Sequence, residues 1–269
     1  MKSKAILTLL FVLAGTLLLP AARLQPPAKK SAAKPVAKQK LLKKKPVSRS
    51  SYFLRISYAM GVAGSDQTQS WTEPLYGENI EYGLASKMGT SSNIHAGVGR
   101  HFGKSLGVGL GAIIHGSDID ATLDASVPSP WKFASPRSAS GTYAASLKST
   151  IFYLNVIYTL PISKLSLDLF AGPAYFSSST EVISAVAIQD VYPNDTVSIT
   201  LATEKISKSS FGFNAGLDLN YFFSGNLGIF LEGRYLSGNT TFTSTSQQVP
   251  GIKLNAGGLT VGAGLMFRF

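Results

Sequence analysis

From residue 51 onward the chain alternates apolar and polar residues, and it does so over eight separate stretches. A period of two places successive side chains on opposite faces, so each stretch reads as a β-strand with two unlike faces. In 51–62, "SYFLRISYAMGV", Tyr52, Leu54, Ile56, Tyr58, Met60 and Val62 oppose Phe53, Arg55, Ser57 and Gly61. In 93–102, Ile94, Ala96, Val98 and Phe102 oppose His95, Gly97, Gly99 and His101. In 105–116, Leu106, Val108, Leu110, Ala112 and Ile114 oppose glycines and His115. The remaining strands are read at about 148–160, 164–177, 209–223, 226–237 and 258–269. The stretch near 148–160, "TIFYLNVIYTL", is apolar on both faces, and its favoured register groups Phe152, Leu154, Val156 and Tyr158 on the apolar side.

The connections alternate in length. Residues 103–105, 161–164 and 224–226 are tight hairpins, whereas 64–91, 117–147, 178–208 and 238–257 are long. Within the third long connection, "EVISAVAIQ" and "TVSITLATEK" flank "DVYPND" and read as a hairpin continuing the two strands around it. Short turns at one end and long loops at the other are the layout of a transmembrane β-barrel. The expected fold is therefore all-β: an eight-stranded antiparallel transmembrane barrel with short turns at one end and long loops at the other.

The composition of the two faces decides which one meets lipid. About fifty bulky apolar side chains cannot fit inside one eight-stranded barrel, whose interior holds only a packed layer. The apolar face therefore points outward, and the face rich in Gly, Ser, Asn and charge points inward. In lipid every backbone group must be paired, so the sheet must close, with the last strand against the first. Inward charges are expected to pair, because isolated buried charges are costly. Arg55, Asp168, Asp218, Glu232 and Arg234 fall at comparable middle heights and form the expected interior network, and Arg268 is a further inward candidate. Large inward groups such as Arg55, Phe170, Phe230 and Met266 face glycine-rich strands, which favours a filled interior. Tyr52, Phe102, Tyr158 and Tyr221, with Phe267 and Phe269, cluster near the short-turn end as an aromatic girdle. Arg100, on the apolar side near that end, can snorkel to the interface. Pro173 cannot donate to a ladder, so a bulge is expected there.

Residues 1–50 have another character. Lys2 and Lys4, the apolar run from Ala5 to Leu19, and Pro20–Ala22 form a secretory signal peptide, assigned to 1–22, for export by the general secretory route. Residues 23–50 are rich in Lys, Ala and Pro, lack aromatics, and read as a disordered tether. Residues 51–269 form the barrel domain. The net charge of +11 is local to the leader: residues 1–50 hold 12 of the 25 Lys and Arg and none of the 14 acids. The remainder thus carries 13 basic and 14 acidic groups, a net of −1. That balance removes the basic face on which nucleic-acid binding depends.

These eight alternating strands, long loops and a final strand ending "LTVGAGLMFRF" resemble the small OmpA/OmpX-type outer-membrane β-barrels. The resemblance lies in pattern over about 51–269 rather than in close identity. It implies that the last strand is a recognition signal for the barrel-assembly machinery, with Gly264, Phe267 and Phe269 at the matching positions. Gly262 stands where that pattern usually has a polar residue. It also implies turns in the periplasm, loops outside the cell, and the Lys-rich tether in the periplasm.

Little in the chain suggests catalysis. "HGS" at His115–Ser117 is similar to the His-x-Ser motif of lipid A deacylases, but it continues Asp118–Ile119 and lies early in the chain with His115 facing inward. His95 and His101 are six residues apart, too far to be paired metal ligands on one strand, and are expected to be interior hydrogen-bonding groups. There are three His, no Cys, and no P-loop or GxSxG motif. No catalytic residue, cofactor or metal is expected. The expected role is non-enzymatic: a structural or surface-interaction function, adhesion or binding, through the long loops. A small passive pore is the alternative, and a lipid-modifying enzyme the second. Expected partners are outer-membrane lipids and lipopolysaccharide, the assembly machinery, and peptidoglycan through the basic tether. The protein is expected to be monomeric.

Overall fold

The computed structural model describes residues 52–62, 66–103, 105–132, 134–163, 165–191, 195–246, 249–255 and 257–269. The signal segment and tether expected over 1–50 lie outside the described residues. Eight antiparallel strands close into a ring. In spatial order these are β1 (Tyr52–Gly61), β4 (Ser92–Phe102), β5 (Leu106–Val127), β6 (Arg137–Ile162), β7 (Leu165–Val191), β8 (Thr196–Phe222), β9 (Leu227–Ser237) and β12 (Gly258–Arg268). β12 then returns to β1, from Phe53 opposite Arg268 to Gly61 opposite Thr260. The first-to-last closure read from the sequence is present. It reaches the final residue, since Tyr52 and Phe269 exchange backbone hydrogen bonds of 3.2 and 3.1 Å.

Side-chain direction follows the expected parity. Tyr52, Leu54, Ile56, Tyr58 and Met60 face out on β1, whereas Phe53, Arg55, Ser57 and Ala59 are buried. On β6 the favoured register holds: Phe152, Leu154, Val156 and Tyr158 are exposed, and Ile151, Tyr153, Asn155 and Ile157 are buried. The bulge expected at Pro173 is absent. The β6–β7 ladder drops two rungs opposite Gly172 and Pro173 and resumes in the same register, Tyr153 with Ala174 and Val156 with Ala171. Proline removes a donor without adding a residue, so a gap results rather than a slip. The β7–β8 register shifts between Ile183 and Ala185 instead, well above the apolar band.

The long connections are mostly strand. Residues 64–91 contain the hairpin β2 (Asp66–Leu75) and β3 (Glu78–Met88), turning at Tyr76 and Gly77, both with positive φ. Such a pair of left-handed residues is what a two-residue hairpin turn requires. β3 pairs with the upper part of β5, Met88 with Ile119 and Glu81 with Ser126. Most of 117–147 extends β5 and β6, and the hairpin read within 178–208 extends β7 and β8. The last connection carries a small hairpin, β10 (Asn239–Phe242) with β11 (Ile252–Asn255).

Polarity inverts along the long strands. Low on β5, Leu106, Val108, Leu110 and Ile114 face out. Higher up, Ile119, Ala121, Leu123, Ala125 and Val127 are buried, and Asp118, Asp120 and Asp124 face out. The buried set joins Tyr82, Leu84, Leu147, Val182, Ile206, Phe242, Ile252 and Leu254 in one apolar core. The lower part thus obeys the rule for lipid, apolar outside, and the upper part the rule for water, apolar inside.

Candidate functional site

Inward-facing glycines seat large side chains across the lumen. The Phe53 ring lies on Gly99, the Phe170 ring on Gly216, the Phe230 ring on Gly264, and the Tyr153 hydroxyl on Gly97 and Gly111. A Cβ at any of these positions would meet the ring or hydroxyl at under 3 Å. Phe53, Ile157, Phe170, Phe230 and Met266 form a buried apolar cluster toward the short-turn end.

Interleaved with these rings lie the five charges expected from the sequence, all at most 4% exposed. The structure brings them together. Asp168, Asp218 and Glu232 occupy one rung on the neighbouring strands β7, β8 and β9. Like charges directly opposite repel, so the rung needs cations. Arg55 Nη1 donates to Asp218 Oδ2, and Arg55 Nη2 lies 3.7 Å from Asp168 Oδ2. Arg234 Nε donates to Glu232 Oε1 at 2.7 Å, and its Nη1 donates to Asn214 Oδ1 at 3.0 Å. Both guanidiniums lie between rings on the glycine seats. Arg55 sits 4.7 Å from the Phe53 centroid and 5.5 Å from that of Phe230; Arg234 sits 4.8 Å from Tyr153 and 4.6 Å from Phe170.

Neutral groups complete the network. Asn220 Nδ2 donates to Asp168 Oδ2 at 3.0 Å, and Asn214 Nδ2 to Asn155 Oδ1 at 2.8 Å. His95 Nδ1 lies 3.2 Å from Glu232 Oε2 and 3.1 Å from Ser57 Oγ, and its Nε2 bonds Tyr153 OH. His95 is thus an interior hydrogen-bonding group, as read. Its place beside Glu232 depends on the shear of the barrel, which period-two alternation does not encode. Arg268 packs over the Phe222 ring at 3.6 Å, below the network. His115 and Ser117 both face inward with separate partners: His115 Nδ1 is 2.7 Å from Asn93 Oδ1, and Ser117 Oγ donates to the Gly89 carbonyl at 3.1 Å. Among the described residues no three His, Asp or Glu side chains are grouped to hold a metal ion.

The aromatic residues chosen from the sequence all face out at the short-turn end. Tyr52 stacks on Phe269 at 6.0 Å, and Arg100 lies 5.0 Å from the Tyr52 centroid and 5.5 Å from that of Phe102. A second aromatic row, missed in the sequence, lies at the opposite edge of the band. It includes Tyr175 with Phe211 at 5.2 Å and Phe213 with Tyr235 at 6.0 Å. Its signal was available, since Phe211, Phe213 and Tyr235 stand on the apolar side of their strands. From Tyr221 up to Phe211 a strand rises about 33 Å at ~3.3 Å per residue. A tilt of roughly 40° makes that about 25 Å, the height of a lipid-facing band.

At the far end Arg137 joins two apices, and Tyr76 ties a third to the same carboxylate. Arg137 Nη1 lies 2.6 Å from Asp190 Oδ1 and 3.4 Å from Asp195 Oδ1, and Nη2 donates to the Pro128 carbonyl at 2.8 Å. Tyr76 OH donates to Asp190 Oδ2 at 2.8 Å. The Tyr76 hydrogen bond, then Arg137, holds the Asp190 carboxyl below its usual range, and the same bond raises Tyr76. Tyr82, stacked on Trp71 at 4.9 Å, is pushed up to about 12 by burial and by Glu73. The fourth connection is fastened separately: Thr245 N donates to Glu204 Oε2 at 3.1 Å.

Comparison with known proteins bears on this arrangement. The family model described as "Outer membrane protein beta-barrel domain" matches residues 55–267. No curated protein matches the chain. Among solved structures, the outer membrane protein OprG of Pseudomonas aeruginosa is similar at 14% identity and a TM-score of 0.51, covering 82% of this chain and 97% of its own. The attachment invasion locus protein Ail of Yersinia pestis is similar at 13% identity and a TM-score of 0.33, covering 81% and 99%. The outer membrane protease OmpT of Escherichia coli is similar at 12% identity and a TM-score of 0.38, covering 81% and 97%. The OprG likeness bears on fold, and a fold does not fix a function.

Proposed function

The chain belongs to the outer membrane protein beta-barrel domain family, and from that premise we propose that it is a non-enzymatic integral barrel that presents a rigid interaction surface outside the cell. The observation that carries this reading is the apolar core shared by β3, β5, β6, β7, β8, β10 and β11 above the lipid-facing band. Loops with a common core and cross-linked apices form a preformed surface, which lowers the ordering cost of binding a partner. The five-charge network and the rings beside it occupy the lumen at membrane level, which supports a closed structural barrel over a passive pore. In this reading the short turns and the basic tether are periplasmic. Gly264, Phe267 and Phe269 address the chain to the assembly machinery, Tyr52, Phe102, Tyr158 and Tyr221 anchor the inner interface, and the tether contacts peptidoglycan.

Planar-bilayer recording tests the closed barrel. No stepwise conductance is expected, and steps that change when Arg55 or Glu232 is neutralised would establish the pore instead. Lipid A from overexpressing cells should be unmodified by mass spectrometry. Chimeras that exchange the extracellular hairpins between barrels should move surface binding with the hairpins.

A further inference from the structure

Just above the outer aromatic row the barrel wall carries a depression of about 570 Å3. Its floor is a rung of four small residues and one lysine on five neighbouring strands, Ser92, Gly116, Lys148, Ser179 and Ser207, consecutive partners across β4 to β8. The rung beneath, toward lipid, holds Ile94, Ile114, Thr150 and Ser177. Below that lie the exposed rings of Phe152, Tyr175 and Phe211, cross-strand partners of one another. The Lys148 side chain faces out, and among the described residues no carboxylate pairs with it.

We propose that this groove binds the phosphorylated sugar headgroup of an outer-leaflet glycolipid, with Lys148 on a phosphate, the Ser and Thr hydroxyls on sugar oxygens, and the acyl chains down the Ile94–Ile114 wall. The inference rests on the reading that the long hairpins face the cell exterior. Four features select this occupant. The groove is continuous with the lipid-facing band, so its ligand has an apolar part rooted in the membrane. Its unpaired cation calls for an anion, which here is phosphate. Its hydroxyls, each both donor and acceptor, suit a polyhydroxylated headgroup better than a compact glycerol phosphate. Its depth just past an aromatic row is that of the headgroup layer, where such rows lie.

The native chain has no cysteine, so a single reporter thiol can be read without background. Ser179→Cys places it on the cross-strand partner of Lys148. The protein is reconstituted in phosphatidylcholine vesicles alone, or with bisphosphorylated lipid A, or with phosphatidylglycerol, and maleimide labelling is timed. Lipid A should slow labelling about fivefold, the effect of one lysine at an anionic surface. Added Lys148→Gln should abolish that protection, and Lys148→Arg should keep it. Equal rates in all vesicles, equal protection by phosphatidylglycerol, or protection that survives Lys148→Gln would overturn the proposal. Val156→Cys, deep in the band, separates the two levels of inference. It should label slowly in every vesicle, and fast labelling there would overturn the membrane reading itself.

Discussion

At the scale of single residues the charged rung is the most sensitive part of the molecule. Replacing Arg55 with Met leaves Asp168 and Asp218 side by side without their guanidinium. Unfolding by urea from lipid vesicles should show a loss of about 3–5 kcal/mol, the usual cost of orphaning a buried charge. Adding Asp218→Asn to that variant should recover part of it; full additivity of the two losses would mean that the ion pair is not the cause. Glycine seats give a second expectation. Gly216→Val drives a side chain into the Phe170 ring and the Gly233 carbonyl, and overpacking of that kind costs about 1–3 kcal/mol. The apex cluster is titratable. Asp190 has a folded pKa below its free value of 3.8, so its bond to Tyr76 stabilises the fold above that pH and is lost as pH falls through the lower folded value. Proteolysis at the apices should therefore be slow at pH 7 and rise below about pH 4. Arg137→Ala should raise it at both. The five charges could be named from sequence because charge on an inward face must be paired. Tyr153, Asn214 and Ser57 could not be assigned to them, since a neutral polar residue on that face has many equally acceptable partners.

Elements tell a different story about legibility. All eight ring strands could be read, because lipid on one side and a packed lumen on the other force unlike faces. The upper halves of β5 and β6 fall within 117–147, which the sequence presents as a long connection. Their residues alternate just as well, yet in the opposite sense: Asp118, Asp120 and Asp124 stand out where Leu106, Val108 and Leu110 do below. A search for one apolar face loses the strand where the solvent changes. The terminal strand was legible to its last residue. Since Phe269 bonds Tyr52 through both backbone groups and stacks on its ring, removing it opens the end of the closing seam. Outer-membrane levels of the Phe269-deleted chain should fall well below those of a variant shortened at the exposed residues Ala134, Ser135 and Pro136. Equal levels would refute the role assigned to this strand.

For the whole molecule, two interior levels follow one another along the barrel axis: a cluster of rings and a methionine interleaved with the charged rung, and above it the apolar core of the hairpins. Each obeys the packing rule of its surroundings. Outside, an apolar band lies between two aromatic rows. Heating in detergent should therefore convert the protein from a fast-migrating folded form to a slower unfolded one on a gel, in a single cooperative step. Extraction by carbonate without detergent would contradict the band. Because the upper core is built by several connections at once, replacing β2 and β3 with a short turn should also expose Leu123 and Leu147 to a hydrophobic dye.

The Arg137–Asp190–Tyr76 cluster shared by three apices has a mechanical meaning. A pull applied to any one tip passes through this cluster to its neighbours, and so to several strands running down into the wall. Those strands are then loaded along their length, where many ladder bonds must fail together, rather than peeled apart one bond at a time. A surface protein tugged by whatever it holds would resist as a bundle of cables rather than as a zip.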